Sequence, residues 1–156
     1  MSATPPFLQS LSEAERARLL GGATSRRYAA GAVLLREGDA GSSLLLVTAG
    51  EVDVTRGGND LARLGAGGAI GEMALLDPAP RSATVTARGP VEALELPRDV
   101  VWAFLAEGDP AAIKLLQALT AIACARLADV NRLVQEEVVR PRGSVFKRLL
   151  SSVFGK

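Results

Sequence analysis

The sequence predicts an α+β domain that is mainly β, a barrel, roll or jelly roll with helices before and after it. Three observations support this fold class. Short strand signals separated by glycine turns fill residues 25–97, a helix-capping pattern precedes them, and helical periodicity follows. Closely spaced short strands favour such an architecture over a parallel α/β sheet, whose strands alternate with helices.

The first section, residues 1–24, is predicted to be helical. Ser12 is followed three residues later by Glu15, which is the pattern of a capping box. The helix is expected to run from Pro6 to Gly22. Its apolar face is predicted to contain Leu8, Leu11, Leu19 and Leu20.

The second section, residues 25–97, carries the strand signals, and about eight strands are expected from their close spacing. Glu51–Thr55 shows the alternation of polar and apolar residues that a half-buried strand has. Glycines mark the predicted turns between strands. The other predicted strands are Val33–Arg36, Leu44–Thr48, Leu61–Leu64, Thr84–Ala87 and Val91–Leu96.

The third section, residues 98–138, is predicted to form helices. A short helix, RDVVWAFLA, ends near Gly108, and Asp109 then caps a second helix with Pro110 at its first position. No proline or glycine interrupts the second helix before Val138. At 1.5 Å per residue it is roughly 40 Å long.

Composition removes several function classes. The 156 residues are 48% hydrophobic, which predicts a folded domain, and the net charge of +1 gives no support to a general nucleic-acid binder. The chain has no histidine, so Ser-His and Cys-His catalysis and most zinc sites are excluded, and no metal is expected. Without a signal peptide or a long apolar run, a cytoplasmic protein is expected.

The single cysteine, Cys124, fits a reducing compartment. Its neighbours, AIACARL, are apolar apart from one arginine. They predict a buried helix position rather than a reactive thiol.

One stretch, Gly67–Ala87, does not have the pattern of an ordinary core segment. It is GGAIGEMALLDPAPRSATVTA, and it places Glu72 and Arg81 nine residues apart with a glycine just before an apolar turn. If that turn is helical, its first backbone amides have no partner within the helix and form an anion site. These amides belong to Gly71, Met73 and Ala74.

Arg81 and Glu72 suit different parts of one ligand. A guanidinium binds a phosphate through two parallel hydrogen bonds, whereas a carboxylate is a poor neighbour for phosphate but accepts a hydrogen bond from a hydroxyl. Phosphate and hydroxyl together describe a nucleotide sugar. The alternative is that the two side chains form an ordinary surface ion pair and that the glycines only serve turns.

The stretch IGEMALLDPAPRSATVTA closely resembles the phosphate-binding cassette of the cyclic-nucleotide-binding domain family. GAVLLREGDAGSSLLLVTAGEVDV is similar to the early strands of that family, and FLQSLSEAERARLL to the helix before them. The resemblance covers about Phe7 to Val138. It implies an eight-stranded β-roll flanked by helices, with residues 67–87 as the cassette.

The resemblance also implies a role for each site residue. Glu72 accepts from the ribose 2′-hydroxyl and Arg81 clamps the cyclic phosphate. Ser82, rather than threonine, at the next position favours cAMP over cGMP as ligand, and its hydroxyl can add a donor. The backbone amides expected to bind the phosphate are those of Gly71, Met73, Ala74, Ser82 and Ala83. On the long helix, Arg126 is expected to stack on the base and Asn131 to hydrogen-bond its edge; the alternative is that both are simply solvated helix positions.

The function predicted is a cyclic nucleotide sensor that acts as a regulatory module and not as an enzyme. No other cofactor is expected. One alternative is a phosphodiesterase with Glu72 as general base, although the cassette has no paired carboxylates. Another is a β-roll interaction scaffold that binds no nucleotide. A stand-alone form without DNA as a partner is expected, because the residues after Val138 are too few for a winged helix-turn-helix.

Two further partners are predicted. Apolar residues at three-four spacing on the long helix predict a homodimer, with packing of the early part on the β-roll of its own chain as the alternative. They are Leu116, Leu119, Ala123, Leu127, Val130, Val134 and Val138. Residues 139–156 form a basic amphipathic tail that carries five cationic and no acidic side chains. It is expected to dock on the protein itself, on an unknown effector protein, or on an anionic membrane.

Overall fold

The computed structural model describes residues 5–139, except for the side chains of Pro6 and of several residues from position 122 onward. The chain forms two compact units, Met1–Leu119 and Thr120–Lys156. The first unit contains all the strands described below, so the mainly β fold predicted from the sequence is confirmed. No helix within residues 5–139 combines the length and the apolar character needed to cross a membrane.

The N-terminal section contains a 3₁₀ turn, Pro6–Leu8, followed by helix α1, Glu13–Leu20. The Ser12 hydroxyl accepts from the Glu15 amide at 3.2 Å, and Glu15 Oε2 accepts from the Ser12 amide at 2.8 Å. The predicted capping box is therefore confirmed. The prediction of one helix from Pro6 to Gly22 is wrong, because Ser12 has extended backbone angles (φ −64, ψ 164) that separate the two pieces.

Ten strands are present in the described residues, two more than the eight expected. They are β1 Thr24–Tyr28, β2 Val33–Leu35, β3 Ala40–Gly41, β4 Ser43–Ala49, β5 Val52–Arg56, β6 Asn59–Leu64, β7 Ala69–Ile70, β8 Ala79–Pro80, β9 Thr84–Ala87 and β10 Val91–Pro97. The order is β1-β10-β4-β7 in one sheet, β2-β9-β5-β6 in the second, and β3 pairs with β8. The sequence analysis missed β1, whose first four residues are exposed, and the two-residue strands, which are too short to show a period.

The core lies between the two larger sheets and extends under the helices. A cluster of buried side chains joins β4, β5, β9 and β10, and consists of Val47, Val52, Val85, Ala87 and Val91. Helix α2 is Arg98–Ala106 and α3 is Pro110–Val139. Asp109 Oδ1 accepts from the Ala111 amide at 2.8 Å, so the predicted cap of α3 is confirmed.

The first turns of α3 belong to the core of the first unit. Leu115 and Leu119 are fully buried there. For Leu119, the predicted alternative of packing within its own chain is therefore the observed one. Further along, Leu127 is 64% exposed.

Cys124 is exposed, and the prediction of a buried cysteine is wrong. Helix geometry explains the error. Successive residues of a helix point about 100° apart, so the side chains next to Cys124 in sequence face other directions. Apolar neighbours in sequence therefore do not place a residue on the buried face.

Candidate functional site

The cassette, residues 67–87, changes direction at Gly71. Gly71 has left-handed backbone angles (φ 76, ψ 24) and immediately precedes a 3₁₀ helix, Glu72–Leu75. Ala74 and Leu75 bury one side of this cassette helix, and Trp102 Nε1 of α2 donates to the Leu75 carbonyl at 2.9 Å. The helical turn predicted after Gly71 is thus present, and it is held to both the core and α2.

The backbone of Arg81 is held by the turn just before β3, one of the short strands that the sequence analysis missed. Its amide donates to the Asp39 carbonyl at 2.7 Å, and its carbonyl accepts from the Gly38 amide at 2.8 Å. Just before it, β8 pairs with β3. These contacts fix the Arg81 backbone next to the turn at Gly38 and Asp39, and so fix the point from which its side chain extends.

The Arg81 guanidinium is half-buried and hydrogen-bonded to one residue of β4. Nη1 donates to the Ser43 carbonyl at 2.8 Å and Nη2 to the Ser43 hydroxyl at 3.0 Å. Burial lowers the pKa of Arg81 from its ordinary value, and the negative charge of Glu95 acts in the opposite direction. An arginine with a lowered pKa is still a cation at neutral pH.

Two glycines allow the Arg81 side chain to pass. A Cβ on Gly41 would lie 2.7 Å from Arg81 Nε, and one on Gly71 would overlap Nη1. Gly71 also has a positive φ, which disfavours any side chain. A side chain at either position would displace the Arg81 side chain from where it lies, and at Gly71 the backbone angle disfavours one as well.

Six of the predicted site residues line one cavity of about 200 Å³. The six are Gly71, Met73, Ala74, Arg81, Ser82 and Ala83. Leu35 and Ile70 add apolar walls from β2 and β7. The cavity thus combines the start of the cassette helix with a half-buried cation, an arrangement that suits an anion, and Asp77 adds one carboxylate to its lining.

Two predicted residues differ in detail from the expectation. Glu72 heads the cassette helix and is half-buried, but it is not part of the lining of this cavity. The Ala74 amide donates to the Gly71 carbonyl at 3.0 Å. In this structure that amide closes the helical turn, and it can bind a ligand only by sharing its hydrogen.

The predicted base contacts lie outside the β-roll unit. Arg126 and Asn131 are on α3 within the unit Thr120–Lys156. Asn131 is exposed, and the side chain of Arg126 is outside the described part of the chain. Their contact with a base stays a prediction.

Sequence analysis missed three residues that support the site: Ser43, Glu95 and Trp102. Ser43 is buried although it is polar, and its hydroxyl donates to Glu95 Oε1 at 3.0 Å. A serine at the start of an apolar strand and a glutamate in a late strand carry no local signal of a shared role. Only the polarity of Ser43 beside Leu44–Val47 could have drawn attention to it.

Comparison with known proteins identifies the family of this fold and site. A family model described as "Cyclic nucleotide-binding domain" matches residues 25–107, more than half of the 156-residue chain. Among curated proteins, the chain is 38% identical over 96 residues to the cAMP-dependent protein kinase regulatory subunit of Yarrowia lipolytica. That match covers 60% of this chain and 26% of the relative, so the chain spans about a quarter of the relative's length.

Two solved structures are similar over most of the chain. The N-terminal domain of a transcriptional regulator from Streptomyces coelicolor A3(2) has a TM-score of 0.71 and 33% identity, covering 81% of this chain and 91% of that one. The catabolite activator protein of Thermus thermophilus has a TM-score of 0.73 and 31% identity, covering 83% of this chain and 62% of that one.

Proposed function

Because the chain belongs to the cyclic nucleotide-binding domain family, we propose that it senses a cyclic nucleotide, with cAMP preferred over cGMP, as a regulatory module without catalysis of its own. The observation that carries this proposal is the half-buried Arg81 in a cavity lined mainly by cassette residues. An anion is the ligand that such a site attracts, since a half-buried guanidinium gains most from a negative partner.

Arg81 has donors left for a phosphate. A guanidinium carries more N–H groups than the two that Ser43 accepts, and its planar fork matches phosphate oxygens. Ser82 and Ala83 line the same cavity. In the proposed complex the phosphate lies against Arg81 and the backbone amides of these two residues, and the ribose hydroxyl meets Glu72.

Isothermal titration with cAMP and cGMP tests the proposal. We expect saturable heat with both, and tighter binding of cAMP, because Ser82 replaces the threonine that favours guanine. Absence of heat with both nucleotides would contradict a sensor and favour the interaction scaffold. Slow conversion of the nucleotide during titration, followed by chromatography, would favour the phosphodiesterase alternative.

Replacing Glu72 with alanine is expected to weaken cAMP binding by about 1–3 kcal/mol, the value of one hydrogen bond to a charged group. The affinity is measured by the same titration, with Glu51→Ala as control. Glu51 is an exposed glutamate that does not line the cavity, so its replacement should leave the affinity unchanged. Equal affinities for the wild type and Glu72→Ala would remove Glu72 from the proposed site.

We also propose a homodimer through the long helix. Leu127 is 64% exposed, and an apolar side chain of this size gains from being covered by a second copy. Light scattering at micromolar concentration, with and without cAMP, should give the mass of two chains. A mass of one chain under both conditions would contradict the dimer.

The basic tail is the segment through which the sensor is expected to act on other molecules. Residues 140–156, and hence nearly all of the basic tail 139–156, lie outside the described residues. Docking of that tail on the protein itself or on an effector protein stays a prediction, as does its contact with an anionic membrane.

A further inference from the structure

A line of hydrogen bonds joins the site arginine to a carboxylate on another strand. Arg81 Nη2 donates to Ser43 Oγ at 3.0 Å, and Ser43 Oγ donates to Glu95 Oε1 at 3.0 Å. We propose that Glu95 is a positioning residue, which acts through the Ser43 hydroxyl to hold the Arg81 guanidinium in place for the ligand. This inference rests on the proposed function, because the ligand is the one that Arg81 binds there.

The direction of each hydrogen bond is set by chemistry. A guanidinium only donates and a carboxylate only accepts, so the single hydroxyl hydrogen of Ser43 must point to Glu95. The oxygen of that hydroxyl is then turned toward Arg81. Glu95 thereby orients the Ser43 lone pair that Arg81 uses.

Burial makes this line of contacts effective. Ser43 is only 7% exposed, so solvent competes little for its hydroxyl. A buried polar group that loses its partner keeps the full desolvation penalty. The Ser43 hydroxyl therefore favours the one arrangement in which both Arg81 and Glu95 are in contact with it.

Glu95 is itself held in place. Its second oxygen, Oε2, accepts from Arg26 Nε at 2.9 Å, and its side chain is 28% exposed. It lies on β10, opposite Thr24 of β1 and Leu45 of β4. The Glu95 carboxylate is therefore held by Arg26, on a strand that has β1 on one side and β4 on the other, while it orients Ser43.

A second cavity shows on which side of Arg81 the hydrogen-bonded Ser43 and Glu95 lie. Ser43, Glu95 and Arg81 all line a cavity of about 320 Å³, whereas only Arg81 of the three lines the cavity formed with the cassette. The arginine is thus shared between the two cavities. Ser43 contacts it, and Glu95 contacts Ser43, without either residue lining the proposed ligand site.

The direction in which Glu95→Ala changes cAMP affinity distinguishes a positioning role from a purely electrostatic one. If Glu95 acted only as a negative charge near an anion site, Glu95→Ala would strengthen cAMP binding, because the repulsion would be lost. Positioning predicts the opposite. We expect Glu95→Ala to weaken binding about tenfold, and Glu95→Gln, which keeps an acceptor for Ser43, to stay within about threefold of the wild type.

The strand supplies a matched control. Glu92, also on β10, pairs with Arg27 of β1 at 3.1 Å, so it forms the same kind of cross-strand ion pair. Glu92 does not line the cavity that Ser43, Glu95 and Arg81 share. Glu92→Ala should leave cAMP affinity unchanged. An equal loss in Glu92→Ala and Glu95→Ala would mean that weakening of the sheet edge, and not positioning, is responsible.

A double-mutant cycle tests whether Glu95 acts through Arg81. Lysine cannot make the two parallel bonds that Arg81 makes to Ser43. In an Arg81→Lys background we therefore expect Glu95→Ala to change cAMP affinity by less than about twofold. An undiminished tenfold loss there would overturn the proposal, as would unchanged or stronger binding in the single variant.

A measurement without ligand keeps the inference separate from the proposed function. In ¹⁵N–¹H NMR of the free protein, slow rotation of the Arg81 Nη groups should be visible in the wild type and in Glu95→Gln. It should be lost in Glu95→Ala and in Ser43→Ala. The signals could be lost in the two alanine variants while the wild type binds no cyclic nucleotide. That result would retain the positioning role and reject the proposed function. Unchanged signals in both alanine variants would reject the positioning role.

Discussion

Replacing Arg81 with alanine is expected to weaken cAMP binding by about 2–5 kcal/mol, which is a factor of roughly 30 to several thousand. The cause is the loss of the half-buried cation of the cavity, whose guanidinium is already oriented by two hydrogen bonds to Ser43. The phosphate would then lose solvent without gaining a charged partner. Isothermal titration gives the difference directly.

Two controls sharpen this test. Arg81→Lys keeps the charge but not the planar fork, so its affinity should lie between those of the wild type and the alanine variant. Arg56→Ala removes an exposed arginine at the end of β5 and should change the affinity by less than about twofold. An unchanged affinity in Arg81→Ala would reject the assignment of the cassette as the phosphate site.

Leu75→Ala is expected to lower the free energy of unfolding by about 2–5 kcal/mol, the range for a leucine truncated in a packed core. Leu75 is fully buried at the end of the cassette helix, where its carbonyl also accepts from Trp102. The truncation leaves a cavity beneath the segment that carries the site. Urea unfolding followed by circular dichroism measures the change.

Leu61→Ala is the matched control for this stability prediction. Leu61 is 57% exposed on β6, and its truncation should change the free energy of unfolding by no more than about 0.5 kcal/mol. A loss at Leu75 no larger than that at Leu61 would show that the cassette helix is not anchored by this side chain.

Local sequence determined the features whose physical cause lies within a few residues. Ser12 and Glu15 form the capping box, and Asp109 caps α3, because each cap needs only side chains next to a helix start. Glycine turns and short strand patterns identified a mainly β fold. The cassette pattern identified the family, which the family model over residues 25–107 confirms.

Local sequence also grouped most of the cassette residues correctly. Gly71 and Arg81 line one cavity with Met73, Ala74, Ser82 and Ala83, as the pattern predicted. These residues belong to one short segment, whereas the contacts that hold Arg81 come from Gly38, Asp39 and Ser43. What they bind remains the proposal to be tested by titration.

The tertiary structure decided which side chains of different strands contact one another, because these contacts depend on strand register. Arg81 meets Ser43 across 38 residues, and Ser43 meets Glu95 across 52 residues. No local period reports such a pairing, because it follows from which strands are neighbours and how far each is shifted along the next. The same reason explains why β3 and β8 were missed, since a strand of two residues exists only through its partner. The packing of the first turns of α3 buried Leu115 and Leu119 in the core of the first unit, because a helix on the surface of a domain buries only one face.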